Sequence, residues 1–288
     1  MNIHKSKIFS SGWNVAYRPK TGILNDRNTP FEVLKNTYRS WAADPFLIEH
    51  NGEVYIFVEL YDYIDGRGSI GYHRVGDKNG RWVPVISESY HLSYPQIFRK
   101  DGQIYIMPEA NASKTLYCYR AVEFPNRWEK LDPIRSGVRY ADTSLFQWNG
   151  RELALTYQIG NEDYKLKLLD LDNPEKDRAI DISNIELRRP AGAMDNNNHI
   201  RPAQNCREDY GKGLIFYQYS LDSNMNYQEV RVAELGPEQL RLSRRLYLDG
   251  LHTYNMSENY EVIDIKTRFF NIISLVMRLK WKIRHLRH

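Results

Sequence analysis

Apolar and polar residues follow one another along this chain in short runs, and one arrangement returns at a nearly even spacing. Asp44-Pro45-Phe46-Leu47 leads through Gly52 into Val54-Tyr55-Ile56-Phe57-Val58-Glu59. Tyr94-Pro95-Gln96-Ile97-Phe98 leads through Gly102 into Ile104-Tyr105-Ile106-Met107-Pro108-Glu109. Asp142-Thr143-Ser144-Leu145-Phe146 leads through Gly150 into Leu153-Ala154-Leu155-Thr156. Each unit reads as a strand, a glycine turn and a second strand. A repeat of roughly 40–50 residues made of short strands predicts a β-propeller.

Two looser phrases continue the series, His199-Ile200-Arg201-Pro202-Ala203-Gln204 and Gly250-Leu251-His252-Thr253-Tyr254-Asn255. Taking openings at residues 44, 94, 142, 201 and 252 predicts five blades and an all-β fold over residues 12–265. An early strand, Gly12-Trp13-Asn14-Val15-Ala16-Tyr17, is placed to complete the last blade and close the ring, which removes free sheet edges. The tail, residues 266–288, is different. Phe269, Ile272, Ile273, Val276, Leu279, Ile283 and Leu286 recur mostly three and four apart, which predicts a C-terminal amphipathic helix.

Charge sharpens that division. The net charge is +4, yet residues 266–288 carry seven Lys or Arg and no acid, leaving 33 bases against 36 acids elsewhere. A nucleic-acid-binding domain would carry its basic surface on the fold, so that class is disfavoured. A basic amphipathic helix with Trp281 among its cations reads as lying on an anionic membrane surface; the alternative is docking on the propeller or on a partner. No apolar run follows the N-terminal charges and no stretch reaches the 18–20 residues of a span. The expected location is therefore cytoplasmic, peripheral at the inner face of the membrane. Cys118 and Cys206 suit free thiols; neither has a metal-ligand spacing, and no cofactor is expected.

A propeller brings its blade openings to one central site, and this sets the candidates. Asp44, Asp142, Glu59 and Glu109 are the candidate catalytic acids. Tyr94, Arg189, His199, Arg201, Gln204, His252 and Tyr254 are the candidate substrate-binding residues. Carboxylates in pairs serve acid–base chemistry at a sugar, and Arg with His suits a donor phosphate. Each has a plainer alternative: Asp44 before Pro45 as a turn cap, and Glu59 or Glu109 as a buried ion pair. Two other patterns carry little. Gly66-Arg67-Gly68-Ser69-Ile70-Gly71 precedes a strand and reads as a hairpin turn, and Asp170-Leu171-Asp172 trails an outer strand.

Several phrases resemble one known family. Trp41-Ala42-Ala43-Asp44-Pro45-Phe46-Leu47 with Tyr55-Ile56-Phe57-Val58-Glu59 is similar to its first blade. Arg189-Pro190-Ala191-Gly192 with Arg201-Pro202-Ala203-Gln204-Asn205-Cys206 is similar to its fourth. Gly250-Leu251-His252-Thr253-Tyr254-Asn255 with Val262-Ile263-Asp264 is similar to its last. The family is the N-terminal domain of plant glucosamine inositolphosphorylceramide transferase, with its bacterial stand-alone relatives. More distantly, the Asp-Pro opening resembles the five-bladed furanosidase superfamily that includes glycoside hydrolase families 32 and 43. That likeness implies a base or nucleophile at Asp44 and a counterpart at Asp142. The superfamily's catalytic Glu has no clean match, since the fourth unit offers His199 and Arg201.

The function these features imply is sugar transfer in bacterial surface-polysaccharide or glycolipid assembly. Its partners would be an activated sugar donor and a glycan or lipid-linked acceptor. In this expectation Asp44 deprotonates the acceptor, while Arg201 and His199 hold the donor phosphate. The alternatives are a furanoside hydrolase and a non-catalytic glycan-binding propeller.

Overall fold

The structure, a computed structural model, describes residues 10–77, 80–160 and 163–285. It is an all-β, five-bladed propeller followed by one helix. Blade I is the four-stranded sheet Ser40–His50, Glu53–Asp62, Arg67–Arg74 and Val83–Ile86. Blade II pairs Ser93–Lys100, Gln103–Glu109, Tyr119–Glu123 and Arg127–Lys130 in that order. Blade III pairs Tyr140–Trp148, Arg151–Ile159, Tyr164–Asp170 and Arg178–Ala179.

The inner hairpins of these three blades turn on Asn51-Gly52, Asp101-Gly102 and Asn149-Gly150. All six residues have φ between +48° and +77°. Two successive left-handed residues match the right-handed twist of the flanking strands, and Asn, Asp and Gly adopt that conformation most readily. The recurring glycine in the sequence is the second residue of this turn.

Each inner strand is also broken near its start. Register shifts fall between Ala43 and Phe46, Ser93 and Gln96, and Ala141 and Ser144. The bulged residues Asp44, Tyr94 and Asp142 have φ of 50°, 46° and 49°. A bulge re-aims its side chain, and here it turns three openings towards the axis.

Blade IV departs from the expected register. Its inner strand is the irregular segment 189–195, which bridges to the second strand at Pro190↔Ala203 and Asp195↔Ile200. The strand Ile200–Asn205 runs antiparallel to that segment and continues into Gly213–Leu221 and Tyr227–Leu235. The fourth opening is therefore Gly192, not Arg201, and its φ of +139° continues the left-handed series. A Cβ on Gly192 would stand 2.0 Å from the Tyr254 carbonyl oxygen, so only glycine fits.

Blade V closes the ring. Strand Tyr260–Phe269 pairs residue for residue with Ser10–Pro19 from the other end of the chain. Leu248–Gly250 and Tyr254–Met256 pair its other edge, and Glu32–Val33 completes the sheet. The closing strand extends through Phe269, so the helix begins at Ile272, six residues later than the tail boundary expected at 266. The helix spans Ile272–His285. The side chains of Arg278, Leu279 and residues 281–288, Trp281 and Leu286 included, lie outside the described set. Among the described residues no helix is long and apolar enough to cross a membrane. Apolar clusters fill the spaces between neighbouring blades, as where Phe46, Phe57 and Ile70 of blade I meet Tyr94, Ile97 and Ile106 of blade II.

Candidate active site

The axis is lined by five buried carboxylates, Asp44, Glu59, Glu109, Asp142 and Asp264. Left-handed bulges leave main-chain N–H groups pointing into a buried centre, where each needs an acceptor. Acids from adjoining blades supply them. Asp264 Oδ2 accepts from the Asp44 amide at 2.9 Å, Asp44 Oδ2 from the Tyr94 amide at 3.2 Å, and Glu109 Oε2 from the Asp142 amide at 3.2 Å. Blade V is thus tied to blade I, I to II and II to III. Tyr94 crosses the centre; its hydroxyl donates to the Gly192 carbonyl at 3.1 Å, accepts from the Gly192 amide at 2.6 Å and meets Ser144 Oγ at 2.8 Å. Burial pushes its phenol well above the usual range, so it stays a neutral plug.

His252 stands between two of these acids. His252 Nδ1 lies 2.7 Å from Asp264 Oδ2 and its Nε2 lies 3.6 Å from Asp44 Oδ1. Thr253 Oγ1 donates to Asp44 Oδ1 at 2.9 Å. Burial alone would lower the imidazole pKa, but the charges of Asp264 and Asp44 outweigh it and raise it. Burial lifts the Asp44 carboxyl to about 6; the charges of Asp142 and Asp264 add to this and His252 offsets part of it. Among the described residues, donor atoms of Asp44, His252 and Asp264 form the one set close enough to grip a cation, all within 4.8 Å of one another. The ring nitrogens already face carboxylates, so the set is satisfied internally.

Arg189 is the base that reaches the acids. Its Nε donates to Asp142 Oδ2, and its Nη2 lies 3.6 Å from Glu109 Oε2. The guanidinium sits over the Tyr210 ring at 5.3 Å. Its side chain stays 22% exposed. Gln204 Nε2 donates to Asp142 at 2.8 Å. Burial, then the charge of Asp142, pushes Glu109 up to about 8 despite Arg189.

Glu59 differs from the other acids in having no such tie. Its Oε1 is buried without a hydrogen-bond partner, and burial with the charges of Asp44 and Glu109 pushes its carboxyl well above the usual range. His91 Nε2 faces Oε1 at 3.4 Å. His91 Nδ1 accepts from the Gly68 amide at 2.9 Å, so in the neutral ring the proton sits on Nε2, towards Glu59.

Of the expected residues, Asp44, Glu59, Glu109, Asp142, Tyr94, Arg189, Gln204 and His252 meet at the centre. Three do not. Arg201 is buried and locked to Glu229 at 2.6 and 2.9 Å and to Tyr227 at 3.0 Å. It stands three residues from Gln204 on one strand, hence on the opposite face. His199 follows the Asp195–Asn198 turn and packs on Trp148 and Tyr219. Tyr254 donates to Glu261 at 2.8 Å, inside a buried Arg18–Glu261 pair. Asp170 accepts from the amides of Asp172 and Asn173, which makes that pattern a turn cap.

Sequence reasoning missed Asp264, Thr253, Trp13, Tyr210 and His91. Asp264 sits in an apolar strand, Val262-Ile263-Asp264-Ile265, and a lone acid in a buried run was the available signal.

Solved structures share this architecture. The α-L-arabinofuranosidase from Lactobacillus brevis aligns with a TM-score of 0.53 and 14% identity, over 77% of this chain and 81% of that one. A thermostable family-43 glycoside hydrolase aligns at 0.52 and 10%, over 80% and 89%. These likenesses show the fold alone. Among curated proteins, Glucosamine inositolphosphorylceramide transferase 1 of Arabidopsis thaliana is 29% identical over 230 residues, 72% of this chain and 28% of the relative. Its namesake in Oryza sativa subsp. indica is 28% identical over 224 residues, 72% of this chain and 30% of the relative. The chain thus spans less than a third of the length of these relatives. The family model described as Glucosamine inositolphosphorylceramide transferase 1, N-terminal, matches residues 20–167, and the chain belongs to that family.

Proposed function

We propose that this protein transfers a sugar from a phosphate-activated donor to a glycan or lipid-linked hydroxyl. It would do so in bacterial surface-polysaccharide or glycolipid assembly, at the inner face of the cytoplasmic membrane. One observation carries the reading: carboxylates from separate blades are buried at one centre, where Asp44 is held at about 6 and Glu109 at about 8, and burial raises Glu59 as well. Groups pushed apart in this way can act as base and acid at neutral pH.

Asp44, ionised above pH 6, takes the acceptor proton as the new C–O bond forms. His252, held by Asp264, supports the charge on Asp44. Glu59 is the proton donor to the departing phosphate as its bond to the sugar breaks; the His91 Nε2–H facing Oε1 orients the carboxyl, and the proton is replaced from solvent. Arg189 takes the phosphate role first expected of Arg201 and His199, because it is the part-exposed guanidinium that touches the central acids. Asp142, Glu109 and Gln204 fix Arg189 in place. The relatives are named as transferases to inositolphosphorylceramide, which supports a sugar donor and a lipid acceptor.

The test is incubation of purified protein with labelled sugar nucleotides and a bacterial lipid extract. Labelled lipid from the wild type, and none from Asp44→Asn, is the expected result. Release of free sugar would make the protein a hydrolase, and binding without turnover would make it a glycan-binding module.

A further inference from the structure

A second feature lies at the rim, where the start of blade I meets the closing strand. A groove of about 460 Å³ there is lined by Lys35, Arg244 and Arg268 and by the rings of Tyr38, Tyr247 and Phe270, with no acid in its lining. Arg268 is paired with Asp249, but Lys35 and Arg244 are exposed, and among the described residues no ion pair holds either side chain. The three rings are 81%, 66% and 57% exposed.

The helix that follows is docked with an unusual polarity. Ser274 is buried and its Oγ accepts from Ser10 Oγ at 2.9 Å, whereas Ile272 and Val276 are exposed. Lys280, one turn beyond Val276, is exposed as well. A helix whose first turns expose Ile272 and Val276 beside a cationic, ring-lined groove fits a surface that is anionic at the headgroup level and apolar beneath. Ser40 also lines the groove, and Asp44 stands four residues further along the same strand, roughly 13 Å at the usual strand rise.

We propose that this groove takes the phosphate headgroups of an anionic membrane, with Phe270, Ile272 and Val276 seated at the acyl boundary. The acid-lined centre is then held close to the lipid surface. This shares with the transfer reading only the membrane location, and no catalytic step enters it.

Vesicle co-sedimentation tests it, using phosphatidylglycerol–phosphatidylcholine mixtures against pure phosphatidylcholine. The wild type is expected to bind only the anionic vesicles. Lys35→Gln with Arg244→Gln should weaken binding about thirtyfold, since each base near an anionic leaflet is worth about 1 kcal/mol. Phe270→Ser with Ile272→Ser keeps the charge and should weaken binding as well. Equal binding to both vesicle types, or unchanged binding by folded double variants, would overturn the proposal. So would full displacement by millimolar inorganic phosphate, which would mark a site for a free anion. Asp44→Asn should bind vesicles like the wild type, so loss of transfer and loss of docking are read separately.

Discussion

The imidazole of His252 lies flat on the indole of Trp13, with ring centroids 3.7 Å apart and planes 9° apart. Trp13 belongs to the strand that closes the ring, and His252 to the innermost turn of the last blade. Closure of the propeller and positioning of the imidazole are therefore one contact. Trp13 is buried, so Trp13→Ala should cost about 3–5 kcal/mol, measurable by urea unfolding. Trp13→Phe keeps a ring and should cost much less. The His252 resonance should titrate above the ordinary histidine range in the wild type and move back towards it in Trp13→Ala, where water screens Asp264 and Asp44 by more than it relieves the burial of the ring. An unmoved titration would mean that the indole only fills space.

The acid cluster fixes the sign of a pH dependence. Glu109, lifted to about 8, and Glu59, also lifted, keep protons in the folded state that the unfolded chain has lost. His252, raised above 6.5, does the same. Where the native state binds more protons, stability falls as pH rises. His73 and His91 are shifted down by burial and oppose this only below 6.5, where the unfolded histidines charge. Between pH 6.5 and 8.5 the melting temperature should therefore fall. Glu109→Gln, which still accepts from the Asp142 amide, should flatten the slope. A melting temperature that rises over this window would contradict the buried protonated acids.

The propeller was legible because its signals are local. The hairpins at Asn51-Gly52, Asp101-Gly102 and Asn149-Gly150 and the apolar strands beyond them repeat in the sequence, and the folded chain uses them in that register. Blade IV was misread because its inner strand, 189–195, lacks both an apolar run and a glycine hairpin. The Arg201-Pro202-Ala203 phrase looked more like an opening than Ala191-Gly192 did. That slip moved Arg201 to the centre on paper and left Gly192 unnoticed. Asp264 and Trp13 escaped because they reach the site through the ring closure, and His91 because it reaches Glu59 from the connector after blade I; no spacing encodes either.

The exchange of roles between the two arginines is open to test. Arg201 is buried against Glu229, so Arg201→Met breaks a buried pair and should cost about 3–5 kcal/mol. The fraction that stays folded should transfer sugar at the wild-type rate. Arg189→Met should do the reverse, with a raised KM for the donor and a smaller stability loss, because Arg189 is part exposed. Urea unfolding set beside transfer kinetics reads both. A donor KM raised by Arg201→Met and not by Arg189→Met would restore the assignment drawn from sequence.

Glu59 offers the sharpest separation of chemistry from architecture. Asp44, Glu109 and Asp264 each accept an amide from an adjoining blade, so truncating them disturbs both the fold and the site. Glu59 has a buried oxygen with no such duty, and a buried unsatisfied carboxyl costs stability. Gly68 packs against it so closely that a Cβ there would come within 2.7 Å of Oε1. Glu59→Gln preserves the shape and removes the ionisable proton. It should leave the melting temperature equal or higher while transfer falls about 10²–10⁴-fold, the usual worth of a general acid. His91→Gln, whose amide can still donate towards Oε1, should give a smaller loss, because His91 only orients the carboxyl. Full transfer by Glu59→Gln would move the proton donor to Glu109, the other carboxyl held protonated near neutrality.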